Sequence, residues 1–287
     1  ESISYDPVGE VTYNYEGKGG INKFYIGNAV ELFKRLSLGF NFSYLFGSIN
    51  QNSEIIFPEE ADKFFDTYIS TKDIIGDIQF NYGIQYSDSL SDNLAFTLGA
   101  VFDHETRLNY KNDHFSYYET ASGSYDTLKN ITGSAQDLLI PAHIGLGISG
   151  SYKDMLTIGL DYHQQDWSNT SFRNINENSL TMQNEWLLGV EYVPDRYSIT
   201  SYFDRIRYRV GGYYKNTYLQ INGDQIQDKA ITLGLGLPFG NSNTSVNFAF
   251  ELGRRGSTKN GLIEENYVNL LFNITLYDFW FFKRKFD

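Results

Sequence analysis

The sequence predicts an all-β chain, an antiparallel transmembrane β-barrel to which it contributes about ten or eleven strands of a larger, even-numbered total. One observation is strict period-two alternation of apolar and polar residues, repeated along the chain. A second is composition: aromatics are 17% of the 287 residues, with 23 Tyr and 22 Phe against 5 Pro and 2 Met. Aromatics fit a pleated surface, whereas Pro removes a ladder hydrogen bond. The third is Gly on the face opposite the apolar one, which weakens a solvated strand but suits a crowded, curved wall.

The elements follow in order. Glu1–Glu16 contributes one strand, and residues 27–34 carry a helix-like spacing at Ala29, Val30, Leu32 and Phe33 that fits a distorted strand equally well. Residues 36–44 put Leu36, Leu38, Phe40, Phe42 and Tyr44 on one face and Ser37, Gly39, Asn41 and Ser43 on the other. The same reading applies to Ile78, Phe80, Tyr82, Ile84 and Tyr86, and to Leu94, Phe96 and Leu98. Further copies run through Ile144–Ile148, Leu156–Tyr162, Trp186–Tyr192, Ile231–Leu237, Val246–Leu252 and Val268–Leu276. A soluble sandwich would also alternate. The barrel is favoured because the apolar face persists for about ten residues, near the length of a tilted membrane strand. Tyr86, Tyr162, Trp167, Tyr192 and the run Tyr277–Phe282 stand where an interfacial girdle belongs.

Connections read as alternately short and long. Ser89–Asp92, Lys153–Asp154 and Phe239–Asn243 are short; Asn50–Asp66, Lys111–Gln136 and Ser168–Asn178 are long and polar. Short turns face the periplasm in bacterial barrels, so the acidic segment with Glu54, Glu59, Glu60 and Asp62 is expected outside. The last strand should pair with residues 244–252 and with a strand lying upstream of Glu1, because hydrocarbon tolerates no open sheet edge. The whole of 1–287 is then expected to form one barrel domain whose amino-terminal strands lie beyond this sequence.

A net charge of −12 argues against nucleic acid as a partner. Absence of Cys excludes disulfides and thiolate metal sites. Mean hydropathy is −0.38 without a long apolar run, as expected when lumen-facing polar residues alternate with lipid-facing ones. No Gly-x-Ser-x-Gly or His-Glu-x-x-His motif occurs, so neither an enzyme nor a cofactor is expected.

Phe24–Ala29, then Leu36–Gly47, and the closing aromatic-basic strand Leu270–Lys285 together resemble the FadL family of outer-membrane hydrophobic-compound transporters. The resemblance implies a fourteen-stranded barrel with an amino-terminal hatch. It also implies passive uptake of hydrophobic or amphipathic small molecules such as fatty acids, with outer-membrane lipids around the wall. No hatch precedes the first strand here, so the hatch-side ligand site is not carried over. The alternative is a non-transporting barrel, a scaffold or accessory subunit of an outer-membrane secretion or assembly complex.

Candidate residues divide into two groups. Ile55, Ile56, Phe57, Phe64 and Phe65 are apolar positions in a long loop and would capture a ligand outside. Arg205, Arg207 and Arg209 alternate and so form a basic ladder on the luminal face, continued by Gly211, Tyr213 and Lys215. That ladder either attracts an anionic head group or, as the favoured reading, balances carboxylates such as Asp161, Glu191 and Glu251. His143 and His163 fall on the polar faces of two strands joined near Lys153–Asp154 and should come close together; lacking a third ligand, they are read as luminal polar residues.

Overall fold

The computed structural model describes residues 2–6, 9–58, 64–120, 123–170, 179–239 and 244–277. The chain forms a 14-stranded antiparallel sheet of transmembrane-barrel type. In chain order the strands are β1 (Ser2–Asp6), β2 (Gly9–Leu32), β3 (Leu36–Ile56), β4 (Thr67–Ser91), β5 (Leu94–Asp103), β6 (Thr106–Glu119) and β7 (Tyr125–Ile140). They continue as β8 (His143–Tyr152), β9 (Leu156–Asp166), β10 (Met182–Tyr192), β11 (Arg207–Ile221), β12 (Asp224–Pro238), β13 (Ser245–Gly256) and β14 (Glu264–Thr275). Neighbours in sequence are neighbours in the sheet with one departure: β5 pairs with β8, while β6 and β7 form a hairpin attached to β4. Among the described residues no helix is long and apolar enough to cross a membrane.

Two compact units divide the chain. One comprises residues 1–27, 41–81 and 105–140, the other 28–40, 82–104 and 141–287.

The second unit contains most of the wall. Its register aligns the apolar alternation of successive strands into rows. Ile158 lies opposite Val190, Val190 opposite Val210, Val210 opposite Leu233, Leu233 opposite Phe250 and Phe250 opposite Leu270. One step along, Thr157, Glu191, Arg209, Gly234, Ala249 and Leu271 form the matching row on the other face. Most of the apolar row is exposed, with Leu233 at 55% and Leu270 at 80%, whereas of the other row only Leu271 is. A sandwich would cover this face with a second sheet; here it is bare, as a lipid-facing surface must be. Phe248 packs on Phe272 across the β13–β14 pair at 5.3 Å between ring centroids, and Tyr162 on Trp186 at 4.5 Å.

Hairpin chemistry fixes the joints. The β11–β12 link is the two-residue turn Asn222-Gly223, both residues at positive φ, which suits the twist of flanking strands. At Gly253 the Tyr267 ring lies directly over the glycine from the facing strand, in space a Cβ would fill. Gly weakens a strand by leaving the sheet bare, and a cross-strand ring re-covers it.

The first unit is built from the long portions of β2, β3 and β4 with β6 and β7. β2 has 24 residues and β4 has 25, well beyond the roughly 9–11 that cross a bilayer. Its apolar centre is Leu45, Ile75, Leu108 and Tyr110, with Ile49, Leu138 and Ile140 packed against it. Buried polar groups are bonded: Asn112 donates to the Asp73 carboxylate at 2.7 Å, as the low dielectric of an interior demands.

Several expectations need correction. The long link expected over Lys111–Gln136 is the β6–β7 hairpin. Asn50–Ile56 is the end of β3 rather than loop, and of the two readings left open for residues 27–34 the strand holds as far as Leu32. The regular alternation of link lengths fails twice in the second unit: Val193–Ile206 is long where a short turn was expected, and Asn222-Gly223 is short where a long loop was expected. Glu59, Glu60, Asp62, residues 171–178 of the third long link and residues 278–282 of the aromatic run lie outside the described residues. β14 pairs with β13, as expected, and, among the described residues, with no other strand.

Candidate functional site on the luminal face

The polar face of the second unit is organised by alternation: every second residue of β9 to β14 projects there, so charges on adjacent strands meet in pairs. Glu191 on β10 and Arg209 on β11 are directly opposite, and the Arg209 guanidinium donates to the Glu191 carboxylate at 2.7 Å. The same guanidinium donates to Asn247 on β13 at 3.0 Å, across the intervening glycine-bearing β12. Gly234 and Gly236 leave room for the Arg209 and Arg207 stems, which a Cβ at either glycine would meet at 3.3 and 3.1 Å. Lys215 faces Glu185 at 3.7 Å.

Asp228 on β12 is the most heavily bonded group. Its side chain is buried, and it accepts hydrogen bonds from Tyr213 at 3.2 Å, Tyr267 at 3.0 Å and Arg255 at 2.8 Å. The two tyrosine hydroxyls are 2.6 Å apart. Four strands, β11 to β14, are thus tied at one height. Sequence reading placed Tyr213 on this face but did not single out Asp228, Arg255 or Tyr267. The available signal was parity: Asp228 and Arg255 fall on polar-face positions of consecutive strands.

Arg205 departs from the expected ladder. It ends a 3-10 turn, Phe203–Arg205, ahead of the strand, and its guanidinium lies 5.2 Å from the Tyr202 ring. Period two was read across an element boundary, so Arg207 and Arg209 alone share the strand face. Arg209 is engaged with Glu191, as the charge-balance reading requires.

His143 and His163 come together as expected. Their rings stack at 5.3 Å and 11°, with 3.2 Å between His143 Nε2 and His163 Nδ1, and Asp103 lies 3.3 Å from His143 Nδ1. Gly145 makes room: a Cβ there would stand 2.6 Å from the His163 ring. Among the described residues no cluster of three or more His, Asp or Glu is arranged to hold a metal ion. A 490 Å³ depression nearby is floored by Gly159, Gly189 and Gly211, which stand directly opposite one another, and edged by Asp161, Leu187 and Arg209.

In the first unit, Ile55 and Ile56 end β3, Phe57 stacks on Phe64 at 5.2 Å, and Phe65 stacks on Tyr118 at 5.3 Å. The phenylalanines therefore occupy two separate stacks, one of them on β6.

A family model described as BamG matches residues 2–287. The chain belongs to the BamG family. No curated protein sequence matches this BamG chain. Among solved structures it is similar to the Ralstonia pickettii toluene transporter TbuX, with 15% identity over 90% of this chain and 67% of that one and a TM-score of 0.55. It is also similar to the Pseudomonas putida toluene transporter TodX, with 13% identity over 88% and 68% and a TM-score of 0.53. At such identities the likeness is one of fold: the BamG chain has the wall architecture of an outer-membrane transport channel.

Proposed function

We propose that this BamG chain is a non-transporting barrel of the bacterial outer membrane, a scaffold or accessory subunit of a multi-protein complex. The observation that carries this reading is the luminal face of the second unit. It is crossed by the charge pairs Arg209–Glu191, Arg255–Asp228 and Lys215–Glu185. Leu187 and Leu271 are isolated apolar residues on it. A hydrophobic solute would have to strip these ions of their hydration to descend, at a cost of several kcal/mol per ion. The family match over nearly the whole chain also sets it apart from the transporters, with which it shares fold at low identity.

Extraction of the tagged protein from native outer membranes in mild detergent tests the reading. A stoichiometric complex that persists through size exclusion is expected. Recovery of the barrel alone would overturn it.

The second reading is passive uptake of a hydrophobic compound, supported by likeness to the two toluene transporters and by the apolar stack Phe57–Phe64 near Ile55 and Ile56. Uptake of toluene or oleate into liposomes holding the protein, faster than into empty liposomes, is its signature.

A further inference from the structure

The first unit ends, among the described residues, in an unpaired sheet edge. Among the described residues β7 pairs with β6 alone, and Tyr125–Gly133 is exposed residue by residue. Backbone groups in an antiparallel ladder alternate between the two neighbours. Glu119 N–H donates to the Asp66 carbonyl beside β4, so Glu119 and its register-mate Tyr125 do not bond each other. By the same alternation, and allowing for the register shift between Ser116 and Tyr117, the N–H and C=O groups of Tyr125, Thr127 and Asn130 point away from β6. Natural edges are blunted by Pro, Lys, inward charges or bulges, and here register shifts fall between Thr127 and Lys129 and between Ile131 and Ser134, leaving Tyr125–Thr127 and Lys129–Ile131 as regular stretches. Over these nine residues there is no Pro, Asp126 is held by the Tyr118 hydroxyl at 3.1 Å, and the one Lys, Lys129, sits opposite Ser116 on the other face from Tyr117.

Beside this edge lies an aromatic row spanning three strands. Tyr68 on β4 stacks on Tyr117 of β6 at 4.9 Å, and Tyr117 meets Tyr125 of β7 edge-on at 5.8 Å, with Tyr125 71% exposed. Burial first, then the carboxylates of Glu54, Asp66 and Glu119, push the Tyr68 hydroxyl above its ordinary range, and Glu119 also stands opposite Tyr125 in register. Of the chain's 35 acidic and 23 basic residues, 16 and 7 fall within this unit, which thus carries −9 of the net −12.

We infer that the β7 edge from Tyr125 to Gly133 is a docking site for an extended, basic segment of a partner polypeptide, bound by strand addition. The partner strand would bond the outward backbone groups of Tyr125, Thr127 and Asn130, and its alternate side chains would fall beside the Tyr125 face. Lys or Arg at those positions meets the exposed Tyr125 ring with Glu119 on the strand behind it, within an acidic unit, the arrangement that favours a cation. The inference rests on the subunit reading and names the surface through which such a complex would form.

Fluorescence anisotropy on the complete folded protein tests it, with an eleven-residue peptide alternating Lys and Val as the probe. A Glu–Val peptide and a Lys–Val peptide N-methylated at alternate amides are the controls. The Lys–Val peptide should bind at least about tenfold tighter than either control, and the double variant Thr127→Pro/Asn130→Pro should weaken it by at least about tenfold. Both positions direct their N–H outward, so β6 pairing survives, and the N-methylated peptide tests strand addition without altering the protein. Equal binding of the Glu–Val peptide, or undiminished binding of the N-methylated one, would overturn the inference. So would a dimer of this chain that the two prolines dissociate, since the occupant would then be a second copy. If the native complex survives both prolines, the edge is not its contact although the subunit reading stands. If native membranes yield no complex, the subunit reading itself fails, and this inference with it.

Discussion

Asp228 accepts from Tyr213 and Tyr267 on one oxygen and from Arg255 on the other, so an amide there can keep the hydroxyls but sets an NH2 donor against the guanidinium. Asp228→Asn should cost about 1–3 kcal/mol, since Arg255 remains half in water and recovers part of its hydration. The urea midpoint of the folded protein in lipid measures this, and an unchanged midpoint would show that the network is incidental. A second residue-scale expectation concerns the β2–β3 turn. Phe33 and Lys34 both adopt positive φ, at 53° and 58°, and Phe33 is 90% exposed. Side chains with a Cβ are disfavoured there, and Asn-Gly is the favoured pair. The double change Phe33→Asn/Lys34→Gly should therefore raise stability by about 0.5–1 kcal/mol. If it also weakens the native complex, the exposed Phe33 ring has a partner that its backbone strain had been serving.

At the scale of the element, a wall strand is defined by the difference between its faces. Leu233→Arg places a guanidinium in hydrocarbon and should cost about 2–4 kcal/mol with impaired assembly, whereas Asn273→Arg on the luminal face should be tolerated. Heat-modifiable gel migration reads both, and equal tolerance would contradict the assignment of faces. Asn247 is a poor site for the tolerant control despite its luminal position, because it accepts from Arg209 and stands 3.0 Å from a Cβ at Gly236. The wall strands were legible because one face meets lipid and must be apolar throughout, as in Leu36–Tyr44 and Ile231–Leu237. β6 and β7 were not. The inward face of β6 carries Thr106, Leu108, Tyr110, Asn112 and Ser116, a mixture of polar and apolar residues that leaves no clean period-two signal. Arg205 was misplaced for the opposite reason: its spacing continues the pattern while the chain there is still turning.

For the whole molecule, the apolar rows of the second unit predict that folded protein requires detergent or lipid; a monodisperse folded monomer in plain buffer would overturn the membrane assignment. The site was less legible than the wall. Sequence parity found the His143–His163 contact and put Glu191 among the carboxylates facing the arginine ladder, but it did not pair Glu191 with Arg209 in particular. Parity alone could have offered the Asp228–Arg255 pair on adjacent strands, but not the tyrosines from β11 and β14 that complete the cluster, because Tyr267 reaches Asp228 from two strands away, over Gly253. The β5–β8 pairing carries a further consequence. Asp103 and His143 stand opposite each other in register, so the backbone enters and leaves the β6–β7 hairpin at one place. The hairpin is therefore a detachable insert, in the sense that a two-residue link such as Asn-Gly in place of residues 104–142 closes an ordinary turn between β5 and β8. The shortened chain should still assemble its wall, while Leu45 and Ile75 lose their cover from Leu108 and Tyr110. In evolutionary terms, such a seam lets a lineage gain, lose or exchange one appendage without renegotiating the strands that hold the protein in its membrane.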